Sequence, residues 1–485
     1  MQTNTLQNSN RFPWREFLLQ LAAIALPVAL QNVLTTTASM VDTIMLASCG
    51  ELTVGAVGLC GQFSSLMLAG YWGFVGGGML FFAQYFGAKK HESICHSFGI
   101  VLICLMSVGF LFGLSAIFAP QVIMGLYTDK TAIQEIGIRY LRIVGFAYPL
   151  QTLAQAQCAL LRSTERVRIP LIASIAALVT NFICNFILIY GRLGFPVLGE
   201  RGAAIGTLMA AIVNVALILI LARRAHEPYL LRFREHFKFG KELVSEFFRK
   251  CYPILLNEVL IGICNMVINV VIGHQAEEAI VATAVFRTLE GFVLAFFSGF
   301  TSAASVLIGT CVGAGEHEVA YQRALRLVRL VPATVFCVVL ILLGVRNPML
   351  HAMGLRDRSY GICVSMLMIY AVMGSIRMTN WIQNDTFRAA GDPVFGTVRE
   401  IIFAYAMIIP AMLISGVWLK LPFLNVFLCS YIDEPIRVVL MLRHTYSGKW
   451  IKPVTPEGMA TLEEFRSLHT GTSQKRVRET PHNTH

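Results

Sequence analysis

Residues 17–47 read FLLQLAAIALPVALQNVLTTTASMVDTIMLA, a run with no lysine or arginine and a single carboxylate, Asp42. About 20 such residues cross the hydrocarbon core of a bilayer as a helix. The run is too long for the apolar part of a cleaved leader and reads as a retained first span. Similar runs recur along all 485 residues, and the composition follows: 56% hydrophobic and 14% charged, with a mean hydropathy of +0.64. Soluble proteins carry about 25% charged residues, so an ordinary soluble globule is excluded. The net charge of +11 would suggest nucleic acid in a soluble protein. Here the basic residues sit in short loops, topology accounts for them, and no nucleic-acid partner is expected.

Breaking the apolar runs at charged, Gly and Pro positions gives an all-α integral membrane protein of twelve spans. They start near Phe17, Thr53, Ser93, Ile133, Pro170, Ala203, Phe247, Ala279, Leu325, Ile362, Val394 and Phe423. With the N-terminus inside, 27 Lys and Arg fall on the cytoplasmic face and nine on the other, so both termini are expected in the cytoplasm. Residues 447–485, rich in Ser, Thr, His and charge, read as a disordered tail. Twelve cysteines are scattered with no CxxC pair and read as small buried hydrophobes, neither a disulfide framework nor a zinc site.

The chain repeats itself at an offset of 226. Pro27 meets Pro253, Leu30 Leu256, Leu34 Leu260, Ala56 Ala282 and Gly73-Phe74 Gly299-Phe300; Gly87-Ala88 meets Gly313-Ala314, His91-Glu92 meets His317-Glu318, and Arg162 meets Arg388. The reading is two six-helix halves in one orientation, 1–222 and 247–446, joined by a basic cytoplasmic linker, 223–246. Paired repeats are a transporter architecture, with cargo held between them near the midplane.

Ionisable groups inside spans are costly and are functional candidates. Asp42 lies late in span 1, as a site carboxylate or as a hydrated boundary residue. Asn181 and Asn185, one helical turn apart, can face it or clamp two helices. Glu258 lies inside span 7 and Glu290 near the middle of span 8, where Arg287 is placed to pair with it; Arg377 in span 10 is either a cavity cation or a counter-ion. Tyr148, Gln151 and Gln155 make a polar stripe on span 4 suited to a cavity wall. Pro27 and Pro253, like Pro149, remove backbone hydrogen bonds within helices and read as hinges or static kinks. Histidines fall mostly in loops and the tail, so no metal site is expected. No GxxxxGK[ST] loop argues for ATP drive, and no DDxxD cluster argues for a transferase.

The segments Ala25–Asn32, Val41–Met45, Gln84–Ala88, Asn181–Gly191 with Gly202–Thr207, Pro253–Glu258 and Phe387–Asp392 resemble the multidrug and toxic compound extrusion (MATE) family over residues 15–445. The resemblance implies a V-shaped pair of six-helix bundles in the inner (plasma) membrane. It implies export of organic cations in exchange for sodium or protons, with no cofactor beyond that ion. On this reading Asp42 is the span 1 aspartate that carries the coupling ion, Asn181 the asparagine beside it, and Thr207 a span 6 threonine of the same cavity. The chain departs at Asn185, where some members have a second aspartate. Glu258 resembles a span 7 glutamate, while the span 10 aspartate of those members has no expected counterpart, Arg377 standing near its place. The expected protein is a monomeric antiporter for amphiphilic, cationic small molecules; a flippase for a lipid-linked saccharide is the alternative, which a strongly basic cavity would favour.

Overall fold

The computed structural model describes residues 13–469 apart from Gly354, and every regular element among them is helical. The spans are α1 (Trp14–Ala47), α2 (Glu51–Gly87), α3 (His91–Phe118), α4 in two pieces (Thr131–Val144 and Ala147–Ser163), α5 (Arg168–Tyr190) and α6 (Glu200–Arg224). The second half repeats them as α7 (Lys241–Gly273), α8 (Glu277–Gly313), α9 (His317–Gly344), α10 (Asp357–Ala389), α11 (Pro393–Trp418) and α12 in two pieces (Phe423–Cys429 and Glu434–Ser447). Ten are long and apolar enough to cross a membrane unbroken; α4 and α12 are the interrupted pair. In α4 the break falls at Gly145, where a Cβ would come within 2.8 Å of Ile117. Pro149, expected inside a helix, instead stands in the first turn of the second piece, where a missing N–H is tolerated. Pro27 and Pro253 lie within continuous helices. All twelve cysteines are free thiols.

Each half builds its own core, and each lends the other the start of its first helix. Phe17, Leu21 and Ala25 of α1 are buried in the core of the second bundle. Phe247 and Cys251 of α7, the repeat mates of Leu21 and Ala25, are buried in the core of the first. The exchange ties the bundles at the end that holds Trp14, Lys89 and the linker, here the basic end.

Glycines mark where the bundles touch. A Cβ on Gly73 of α2 would lie 2.6 Å from the Leu255 Cα of α7, and one on Gly299 of α8 would lie 2.8 Å from the Ala29 nitrogen of α1. Nearer the basic end, Gly87 abuts the Thr310 carbonyl and Gly313 the Gln84 carbonyl. Both pairs of contacts obey the 226-residue repeat, so the interface has a pseudo-two-fold axis. Small residues let helix backbones meet this closely. Toward the opposite end the contact stops. A Cβ on Gly55, five turns from Gly73 on the same face of α2, would meet nothing across the interface within 4 Å, and its repeat mate Val281 is 50% exposed. The bundles therefore close at the basic end and part at the other.

Two expectations are corrected here. The linker is shorter than 223–246, because α6 runs to Arg224 and α7 begins at Lys241. It is also docked: His91 Nδ1 and the Tyr229 hydroxyl are 2.8 Å apart, and the buried His236 ring lies 2.7 Å from the Tyr229 carbonyl. Burial pushes the His236 imidazole below its ordinary pKa. The tail is ordered as far as it is described, with a helix α13 (Pro456–His469). Of its apolar residues, Trp450, Ile451, Val454 and Phe465 are buried in crevices that the bundles supply, while Met459 and Leu468 are exposed. The Val454 N–H donates to Gln84 Oε1 at 2.8 Å, Thr455 Oγ1 donates to the Gly313 carbonyl at 2.7 Å, and Lys90 meets Glu457 at 3.0 Å. This strap joins both halves at the basic end; residues 470–485 lie outside the described part.

Candidate functional site

The first-half residues converge where α1, α5 and α6 meet. Asn185, 1% exposed, donates from Nδ2 to Asp42 Oδ1 at 2.7 Å and to Asn181 Oδ1 at 3.3 Å. Gly206 of α6 packs directly on the Asn185 amide oxygen, with no space for a side chain between them. That oxygen is buried and has no hydrogen-bond donor. The next residue, Thr207, turns its hydroxyl to the Ala203 carbonyl at 3.1 Å. The structure thus brings together Asp42, Asn181 and Asn185, with Thr207 one residue from the contact. The cluster offers one carboxylate and the Asn181 amide oxygen, hard donors suited to a small cation or a proton carrier.

The second-half site is larger than the sequence reading allowed. A cavity of about 290 Å³ is lined by Glu258 of α7, Asp385 and Arg388 of α10 and Glu400 of α11, with Trp72 of α2 reaching in from the first bundle. Arg388 lies 3.5 Å from Glu258 and 3.6 Å from Asp385. Asn257 and Asn384 donate to Glu400 Oε2 at 3.1 and 3.0 Å. Span 10 carries an aspartate, Asp385, that the sequence reading did not single out. Glu400 carried a legible signal, a carboxylate about two turns inside span 11.

From Glu400 an ion network continues through the second bundle. Arg437 reaches Glu400 at 3.6 Å, Asp433 at 3.4 Å and Glu434 at 2.8 Å. Arg377 pairs with Glu434 at 3.1 Å and Glu290 at 3.5 Å, and Arg287 closes the row on Glu290 at 3.1 Å. Glu290, expected at a cavity wall, is 4% exposed; it and the partly buried Arg377 are counter-ions. The whole system sets six carboxylates, Glu258, Glu290, Asp385, Glu400, Asp433 and Glu434, against four guanidiniums. At the cavity end Glu258 and Asp385 share Arg388 and keep about a third of their side chains exposed, an arrangement that can take up a proton or a cation.

The stripe on α4 also turns inward. Tyr148 is fully buried in the first-bundle core with its hydroxyl 2.9 Å from Ser64 Oγ, and Gln155 donates to the Tyr71 hydroxyl at 3.3 Å. Gln151 is half-buried. Tyr148 and Gln155 pack α4 against α2 and are not walls of an open cavity, because α4 presents this face to its own bundle. Across the bundle interface the Asn32 amide donates to Ser298 Oγ.

Comparison with known proteins gives the same division into halves. A family model, MatE, matches residues 27–187 and 253–413, two blocks set apart by the repeat offset. The uncharacterized transporter YisQ of Bacillus subtilis (strain 168) is 23% identical over 435 residues, 86% of this chain and 91% of that protein. The probable multidrug resistance protein YoeA of the same organism is 25% identical, covering 87% and 91%. Among solved structures, a MOP superfamily transporter from Pyrococcus furiosus superposes with a TM-score of 0.79 at 17% identity over 88% of this chain and 94% of that one. The Vibrio cholerae MATE transporter VcmN gives 0.80 at 16% over 89% and 96%; at these identities the likeness is one of fold. With a family model laid over both halves at the spacing of its own repeat, the chain belongs to the MatE family of multidrug and toxic compound extrusion (MATE) transporters.

Proposed function

We propose that this protein is a secondary antiporter that exports organic cations and other amphiphilic toxic compounds in exchange for sodium ions or protons, by alternating access. The observation that carries the reading is the pair of carboxylate sites, Asp42 in one bundle and Glu258 with Asp385 and Glu400 in the other, in a molecule whose halves are closed at one end and parted at the other. Relatives named as probable multidrug resistance proteins support it. Coupling requires that ion and cargo bind the two states differently. A carboxylate that an incoming ion neutralises loses its hold on a cationic drug, so one group serves both steps. Asp42 with Asn181, Asn185 and Thr207 is the first-half ion site, Glu258 the anchor of the second, and Pro27 and Pro253 the points about which the paired helices bend. The protein sits in the plasma membrane as a monomer, with both termini cytoplasmic.

The test is efflux of a fluorescent cation from energised inverted vesicles, with sodium and pH gradients imposed separately. Wild type is expected to respond to one gradient, naming the ion, and Asp42→Asn, inserted at wild-type level, to lose the response. Normal pumping by Asp42→Asn overturns the assignment of that residue. Absence of cation movement in the wild type overturns the cation reading and turns attention to lipid cargo, which the acidic second-half cavity disfavours.

A further inference from the structure

We propose that the cleft between the start of α11, the end of α12 and α13 binds the headgroup of an anionic phospholipid. The cleft holds about 600 Å³ and is lined by Arg399, Lys449, Lys452 and Arg466, with Asp392 the one carboxylate of the lining. Asp392 is 2% exposed and committed to Lys452 at 2.9 Å and His444 at 3.2 Å, which leaves the mouth of the cleft positive. Its floor is a stack: the Phe395 and His444 rings lie 3.5 Å apart, and the Arg399 guanidinium covers Phe395 at 3.4 Å. Lys449 and Arg466 stand exposed at the rim.

A free phosphate group would need only the basic rim. The structure supplies more, because Val394, Val398 and Ile402, at i, i+4 and i+8 on α11, are 48%, 39% and 55% exposed. They form one apolar track leading from the cleft along the helix into the membrane span. A basic mouth at the foot of an apolar track fits a phosphodiester with acyl chains attached. The cleft also lies at the basic end, which charge distribution assigns to the leaflet face where anionic lipids gather basic side chains. A headgroup seated here contacts α11 and the tail at once and holds the strap against the bundles.

The test uses the full-length purified protein in detergent, with phosphatidylglycerol and phosphatidylcholine titrated separately and bound lipid read by native mass spectrometry. Phosphatidylglycerol is expected to bind at least tenfold more tightly. Lys449→Ala/Arg466→Ala is expected to lose roughly 30-fold, about fivefold per charge, and Lys449→Ala alone about fivefold. Val394→Asn/Val398→Asn is expected to weaken phosphatidylglycerol several-fold. Equal binding of the two lipids, or wild-type affinity in the first double variant, overturns the site. Displacement of phosphatidylglycerol by millimolar inorganic phosphate, or wild-type affinity in the second double variant, overturns the lipid in favour of a bare phosphate group.

Discussion

Asp42 is held by a neutral amide and Glu258 by a cation, and the difference has consequences for each. Asn185 brings no charge to Asp42, whereas Glu258 shares Arg388 with Asp385. A hydrogen bond to a charged group contributes about 1.5–3 kcal/mol. Asn185→Ala is therefore expected to shift the half-saturating concentration of the coupling ion by about tenfold or more, read from initial efflux rates, without loss of protein. Arg388→Gln is expected to tighten ion binding and slow turnover, since two carboxylates then lack their counter-charge; equal KM and slower turnover alone would count against the role of Glu258. Arg437 offers the structural contrast: three carboxylates depend on it, and breaking a buried network of this kind costs about 3–5 kcal/mol, so Arg437→Leu is expected to lower the melting temperature sharply. Asp392, outside the spans, titrates usefully. Burial opposes its charge, but hydrogen bonds from His444 and Lys452 prevail and hold its carboxyl below the ordinary range. A depressed carboxyl stabilises above its unfolded pKa, about 3.9, and that contribution disappears as pH falls through the folded value. Tail docking, followed by proteolysis of residues 448–469, is expected to hold at neutral pH and weaken only below about pH 4.

Elements meet through glycine, and there the repeat is a physical constraint. Gly87 and Gly313 face Thr310 and Gln84, which are repeat mates of one another. Gly87→Val and Gly313→Val are therefore expected to impair closure alike, each reducing transport at least several-fold in well-inserted protein, and a large difference between them would deny the symmetry. The spans were legible because about 20 apolar residues are an unmistakable signal, and the ninth start, expected near Leu325 and found at His317, shows the limit of that signal where polar helix extends beyond the bilayer. Asp42 and Asn185 were legible as polar groups in an apolar run. Asp385 was not, because the last turns of α10 project past the apolar window. The tail was misread because composition averages over 447–485, while order depends on where Trp450 and Val454 land. Trp450 is fully buried, and its indole donates to the Thr445 carbonyl at 3.0 Å. Trp450→Ala is expected to cost about 3–5 kcal/mol, seen as a lower melting temperature and faster trypsin cleavage after Lys449.

At the scale of the molecule, the two carboxylate sites lie in separate bundles, so under the proposed antiport the number of ions moved per drug is open to direct reading. One ion against one monovalent cation moves no net charge, and only the chemical gradient drives export. If both bundles load, two charges enter for one leaving, and each 100 mV of membrane potential contributes about 2.3 kcal/mol. Vesicles clamped with potassium and valinomycin are expected to show potential-driven efflux in the wild type and potential-independent efflux in Glu258→Gln; identical responses would leave Asp42 as the single coupling group. The strap of residues 448–469 matters on another timescale. Chains fold from the N-terminus as the ribosome releases them, and Val454 and Glu457 reach Gln84 and Lys90 only after all twelve spans have been made. A chain stalled near residue 447 would hold both bundles yet lack the fastening between them, so synthesis itself delays the finished closure until the last segment arrives.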